Sequence, residues 1–249
     1  MWLIVATTAC GHPTPMEELL GARALTPAPS SDGACLFDLT DGKADTVFFV
    51  LGMLDEYSGR YLVEGDDRVE TFYCNETGPA RLFRRHISKL TADQRFDPTI
   101  AEETIQNCVV VFRSTPIASH LNSCYRYTMT GQSLAQAHDG TYRRTASASL
   151  AASELFGPGR SGINGRGLSD KTARRRALAY VAGAWARYGR GAEFVFANAR
   201  DKVTLVADLL TNLGCHDVRI ESSSGTIPQA NRIRFEPTEE VKEWLRKNW

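Results

Sequence analysis

The residues with the clearest chemical potential are Asp32-Gly33-Ala34-Cys35-Leu36-Phe37. A cysteine directly after a glycine turn meets two needs of acyl-transfer chemistry. Its thiol can be ionised by a nearby base, and the turn lets backbone N–H groups converge on a developing oxyanion. The base has to arrive from elsewhere in the chain. His120 offers it, 85 residues after Cys35 and just beyond the apolar run Cys108-Val109-Val110-Val111-Phe112. Asn122 stands two residues further on, where it can orient the imidazole. The same residues also read as a buried cysteine after a turn and an unrelated surface histidine, because cysteine is among the most buried residue types.

The D-G-x-C run, followed by Leu36 and the aromatic Phe37 and later by H-x-N, resembles the catalytic pattern of ovarian-tumour-type (OTU) cysteine proteases across residues 15–130. That resemblance implies Cys35 as nucleophile, His120 as general base and Asn122 as orienter. It also implies that Asp32 and the Gly33 turn shape the oxyanion site. The implied substrate is a peptide or isopeptide bond after the tail of a ubiquitin-like protein, cleaved without metal or cofactor. Cys35 would then open a helix that Asp41-Gly42 ends after two turns.

A second function class comes from charge. Lys+Arg and Asp+Glu both number 29, so the formal net charge is zero, which excludes a simple basic coat or an acidic solubilising chain. The sum hides an asymmetry. Residues 1–140 carry 11 basic and 18 acidic groups, and residues 141–200 carry 11 basic and 3 acidic. Arg160, Arg166, Lys171, Arg174, Arg175, Arg176, Arg187 and Arg190 form the cationic segment, and Arg176 and Arg187 share a helical face with Tyr180. Such a surface suits phosphates, so a non-enzymatic nucleic-acid-binding or assembly protein is the alternative to a thiol hydrolase. A third possibility is that the segment docks on the acidic first part of its own chain.

Other motifs carry less. His12-Pro13-Thr14 and His86-Ile87-Ser88 share a two-histidine phosphoesterase spacing, but Pro13 spoils a central strand and His86 falls in a helix-period stretch. Gly157-Pro158-Gly159-Arg160-Ser161-Gly162 matches G-x-G-x-x-G without a preceding strand, so it reads as a linker. Asp66-Asp67 reads as a turn and Glu102-Glu103 as a helix start. No metal-ligand spacing is present.

The elements that must position these residues follow from pattern. Residues 2–9 read as a strand, 14–24 as a short helix and 26–33 as a loop. Residues 46–54 form a buried strand or a buried helix, which periodicity alone does not decide. Residues 61–64 and 69–73 read as a hairpin around Gly65-Asp66-Asp67. Leu82, Phe83, His86, Ile87 and Leu90 have helical spacing, and 108–112 is a strand. Residues 131–156, rich in Ala and Ser, read as partly helical. A helix capped by Ser169 runs over 170–188. The end reads strand 194–196, helix 202–213, strand 217–221, strand 231–235 and helix 238–245, a βαββα unit. The fold class is α+β, divided into a mixed part over 1–130 and a basic helical segment plus βαββα unit over 131–249.

Six cysteines are dispersed, without C-x-x-C spacing, in a chain long enough to bury its own core. They read as reduced thiols, which favours a cytoplasmic location. The opening apolar run is short and lacks a basic flank, so it reads as a first strand, with a lipoprotein-like reading at Cys10 as the alternative. No segment has the length of a membrane span.

Overall fold

The 46–54 run resolves as a helix. In a computed structural model of the chain, Lys43–Met53 (α1) starts after Gly42, whose φ of 89° ends the preceding irregular segment. From Thr46 to Met53 every residue of α1 is buried. A helix apolar all round belongs in the middle of a core, and α1 lies there. The structure describes residues 35–40, 42–55, 60–63, 67–97, 100–105, 107–127, 133–136, 142–151, 155–156, 170–197, 199–223 and 230–247. The expected strand over 2–9, helix over 14–24, loop over 26–33 and glycine-rich loop over 157–167 lie outside them.

In chain order the remaining elements are β1 (Arg60–Val63), β2 (Arg68–Phe72), α2 (Thr77–Gln94), β3 (Ala101–Ile105), β4 (Val109–Arg113), α3 (Thr115–Ser123), β5 (Tyr125–Tyr127), β6 (Ser133–Gln136) and β7 (Tyr142–Leu150). There follow α4 (Lys171–Tyr188), β8 (Gly189–Arg190), β9 (Glu193–Ala197), α5 (Arg200–Asn212), β10 (His216–Ser222), β11 (Ala230–Glu236) and α6 (Glu239–Lys247). The strands form three antiparallel sheets, so the α+β class holds. One has the order β2-β4-β3, one the order β10-β11-β9-β8, and in the third β7 pairs with β1, β5 and β6.

The long helix α4 crosses α1 and carries the core into the C-terminal half. Its cap is Asp170 rather than Ser169, with the carboxylate accepting from Ala173 N at 2.9 Å. One buried apolar cluster runs from Phe37 through Phe48, Phe83 and Leu121 to Tyr180, Phe196, Leu210 and Val241. That cluster draws residues from both sides of position 130.

The βαββα order is present as β9-α5-β10-β11-α6, with α5 packed on β10 and β11. Three local expectations are corrected. Residues 61–73 are not a hairpin, because β1 pairs with β7 while β2 pairs with β4. Residues 133–136 and 142–150 are strands. From Arg144 to Leu150 the sequence alternates small apolar and hydroxyl residues, and cross-strand pairing exploits that period over the helix propensity of alanine. Glu102 and Glu103 sit on strand β3, not at a helix start.

Candidate functional site

Helix α3 brings His120 to the Cys35 segment. It begins after β4 with Pro116 in its first turn, a position that tolerates the missing N–H. It buries Ile117, Ala118 and Leu121 and ends at Cys124, which has no exposed surface. The Ser123 hydroxyl donates to His120 O at 2.6 Å and accepts from Leu36 N at 2.9 Å. The His120 ring meets Phe96 edge-on at 4.5 Å between centroids and Phe37 at 5.5 Å. The two halves of the sequence motif are thus neighbours.

Their chemistry differs from the expectation. Cys35 is bonded to Cys124 in a disulfide, with Cα atoms 4.6 Å apart. As long as that bond stands, Cys35 has no thiol and cannot attack a carbonyl. Cys35 also precedes α1 by eight residues and lies in irregular chain, so it does not open a helix as the resemblance implied. The Leu36 N–H, which an oxyanion site would need, is occupied by Ser123. On the imidazole, Nδ1 lies 2.9 Å from Pro116 O. A carbonyl only accepts, so Nδ1 is the donor of this contact and Nε2 is the nitrogen it leaves for another partner. The Nδ1 contact belongs to a backbone carbonyl, not to Asn122, which is half-buried at the end of α3. Asp32 and Gly33 lie outside the described residues.

A second disulfide joins Cys74 to Cys108, with Cα atoms 4.7 Å apart, and ties the end of β2 to the turn before β4. Cys215 is free and buried, and burial pushes its thiol up. Cys10 lies outside the described residues. Four of six cysteines are therefore paired, which corrects the expectation of reduced thiols and removes the ground for a cytoplasmic location. Among the described residues no helix is long and apolar enough to cross a membrane, and no three His, Cys, Asp or Glu side chains cluster to hold a metal.

Four arginines of the cationic segment pair within the chain. Arg174 Nε donates to Glu240 at 2.9 Å, and Arg175 makes a two-pronged pair with Asp45. Arg176 donates to the carbonyls of Leu155 and Leu39 and lies over the Phe48 ring. Arg187 is buried. It donates to Glu76 at 2.7 Å and to Met53 O and Thr71 O at 2.9 Å each, with Glu70 at 3.5 Å and the Phe72 ring beneath it. Burial opposes that charge, but the surrounding anionic groups outweigh it and hold the guanidinium well above its ordinary value. The donors of Arg174, Arg175, Arg176 and Arg187 thus meet acceptors of their own chain, although Arg175 keeps 45% of its side chain exposed. Lys171 is exposed at the start of α4, and Arg160 and Arg166 lie outside the described residues.

The polar core around Arg187 was not foreseen from sequence. The buried C-terminal end of α1 presents carbonyls with no helical partner. Lys202, with no exposed surface, donates from Nζ to Leu54 O at 2.6 Å and reaches Leu51 O at 3.4 Å. The Tyr188 hydroxyl donates to Leu54 O at 3.1 Å, and Arg187 takes Met53 O. Two cations and a phenol thus neutralise the negative end of a buried helix dipole. The only sequence signal is that Lys202 and Arg187 each stand in the apolar stripe of a helix.

Comparison with protein-family models and with curated proteins gives no match, so the likeness to OTU-type proteases rests on the motif residues alone.

Proposed function

We propose that the protein is a disulfide-stabilised, non-catalytic interaction module that works in an oxidising compartment. The Cys35–Cys124 bond carries this reading, because it occupies the sulfur that the D-G-x-C motif offers as a nucleophile. The inward pairing of Arg174, Arg175, Arg176 and Arg187 weighs against nucleic acid as the partner and favours protein contacts. Alkylation of the native, unreduced protein followed by peptide mass analysis tests the reading. Cys35, Cys124, Cys74 and Cys108 should remain unlabelled until a reductant is added. Rapid labelling of Cys35 without reductant would overturn it.

A second reading keeps the thiol hydrolase, acting on a ubiquitin-like tail, for the reduced protein. It is favoured by one observation: the Nδ1 contact with Pro116 O leaves Nε2 for another partner, on a ring that packs 5.5 Å from Phe37 in the Cys35 segment. Under this reading Cys35 in reduced protein alkylates at least about ten-fold faster at neutral pH than Cys74 or Cys108, and His120→Ala removes the difference. Equal rates for the released thiols would dismiss it.

A further inference from the structure

Strand β10 is an outer strand of its sheet among the described residues, and six of its seven residues are exposed. Ile220, opposite the buried Ile233, is itself 48% exposed. An open edge with an exposed isoleucine invites pairing with another chain. The hydrogen-bond phase fixes which groups are available. Ser223 N donates to Ala230 O, so by alternation residues 219, 221 and 223 face β11. Val218, Ile220 and Ser222 therefore direct their N–H and C=O groups to the open side.

We infer that β10 is a self-association edge, through which two copies of the chain pair antiparallel about a two-fold axis at Ile220. The pairing of β10 with β11 shifts register between His216 and Arg219, so symmetric pairings are centred in the regular stretch beyond it, on Arg219, Ile220 or Glu221, and charge chooses among these three. Centred on Arg219, the pairing sets arginine against arginine and Asp217 against Glu221. Centred on Glu221, it sets glutamate against glutamate. Centred on Ile220, it sets Ile220 against its own copy and places Arg219 opposite Glu221 twice, once on each side of the axis. The same register matches Val218 with Ser222, so every outward N–H and C=O meets a partner and about six main-chain hydrogen bonds form. The present partners of these charges do not prevent this. Arg219 meets Asp217 at 3.3 Å and Glu221 meets Arg234 at 3.5 Å, both on the surface, where such pairs hold weakly. Of the two five-residue edges of the β2-β4-β3 sheet, β2 is mostly buried and β3 carries the adjacent carboxylates Glu102 and Glu103, which lack this self-complementarity.

The inference supplies a first partner for the interaction-module reading without depending on it. A dimer whose Cys35 alkylates rapidly before reduction would sink that reading and leave this one standing. A monomer with a protected Cys35 would do the reverse.

Sedimentation velocity on the unreduced protein, over a dilution series reaching about 100 μM, tests it. The wild type should be a dimer that salt weakens. Arg219→Glu and Glu221→Arg each set like charges across the axis, and each should raise the dissociation constant at least about ten-fold. An equimolar mixture of the two variants restores opposite charges in both places and should recover the dimer. Thermal unfolding establishes that the variants are folded, and Arg219→Gln with Glu221→Gln replaces them where they are not. A wild type that stays monomeric overturns the inference. Charge variants that dimerise as well as the wild type, or a mixture that fails to recover the dimer, also overturn it.

Discussion

Gly52 on α1 and Gly183 on α4 face each other where the two helices cross. A Cβ on Gly183 would overlap the Phe49 carbonyl, and one on Gly52 would overlap the Tyr180 carbonyl. The backbones touch there, and no side chain can be inserted between them. This contact sets the spacing of the helix pair around which the two halves of the chain assemble.

Gly183→Ala is therefore expected to destabilise strongly. Alanine gains about 1 kcal/mol over glycine in a helix interior. Forcing apart a packed crossing costs about 1–3 kcal/mol or more, and here the obstacle is rigid backbone. The second effect wins, so urea unfolding should show a net loss of about 2 kcal/mol. A gain in stability would mean that the helices separate easily.

Arg187→Met should cost about 3–5 kcal/mol, because it leaves Glu70 and Glu76 facing a dry site without their cation. The loss should not add to that of Glu76→Gln. A double-mutant cycle read by chemical denaturation should give a coupling of about 1–3 kcal/mol. Additive losses would show that Glu76 stabilises the fold independently of Arg187.

How far the sequence foretold this depended on whether neighbouring or distant residues decided the outcome. Ile233 and Phe235 alternate with Arg232, Arg234 and Glu236, and Phe194-Val195-Phe196 is a short apolar run of β-formers, and so β11 and β9 were legible to within two residues. Alternation also exists in β7, but an Ala/Ser-rich composition masked it until β1, β5 and β6 supplied pairing partners. The proximity of Cys35 and His120 was legible as a motif. The bond between Cys35 and Cys124 was not, because connectivity among six cysteines is a property of the fold. Lys202 was missed because a lysine on an amphipathic helix usually extends its charge to water. Here the carbonyls of Leu51 and Leu54 hold it inside.

His86 should make stability depend on pH. Its ring stacks on Phe49 at 3.9 Å, and burial, followed by Lys89 and Arg85, lowers its pKa to about 4 from an ordinary 6.5. The folded protein thus releases the proton that the unfolded chain keeps between those values. Stability is complete above about pH 6.5 and falls as pH drops toward 4. The ring is partly exposed, so solvent screening limits the change to about 1–2 kcal/mol. His86→Phe should flatten the slope of stability against pH in that window while retaining the stack. An unchanged slope would assign the acid sensitivity to other groups.

The two disulfides should differ in how readily they open. Thiol exchange requires in-line access to a sulfur. Cys74 is exposed and Cys108 half-buried at the surface end of β2, whereas Cys124 has no exposed surface and Cys35 is half-buried. Asp38 N donating to Gln94 Oε1 at 2.8 Å, and Leu36 N donating to Ser123, also hold the Cys35 segment in place. With limiting dithiol and quenched alkylation, Cys74 and Cys108 should be labelled first, at least about ten-fold faster than Cys35 and Cys124. That order fits a structural Cys35–Cys124 bond. If Cys35 and Cys124 opened first, the bond would behave as a labile one, and its release of a thiol beside His120 would favour the hydrolase reading over the interaction module.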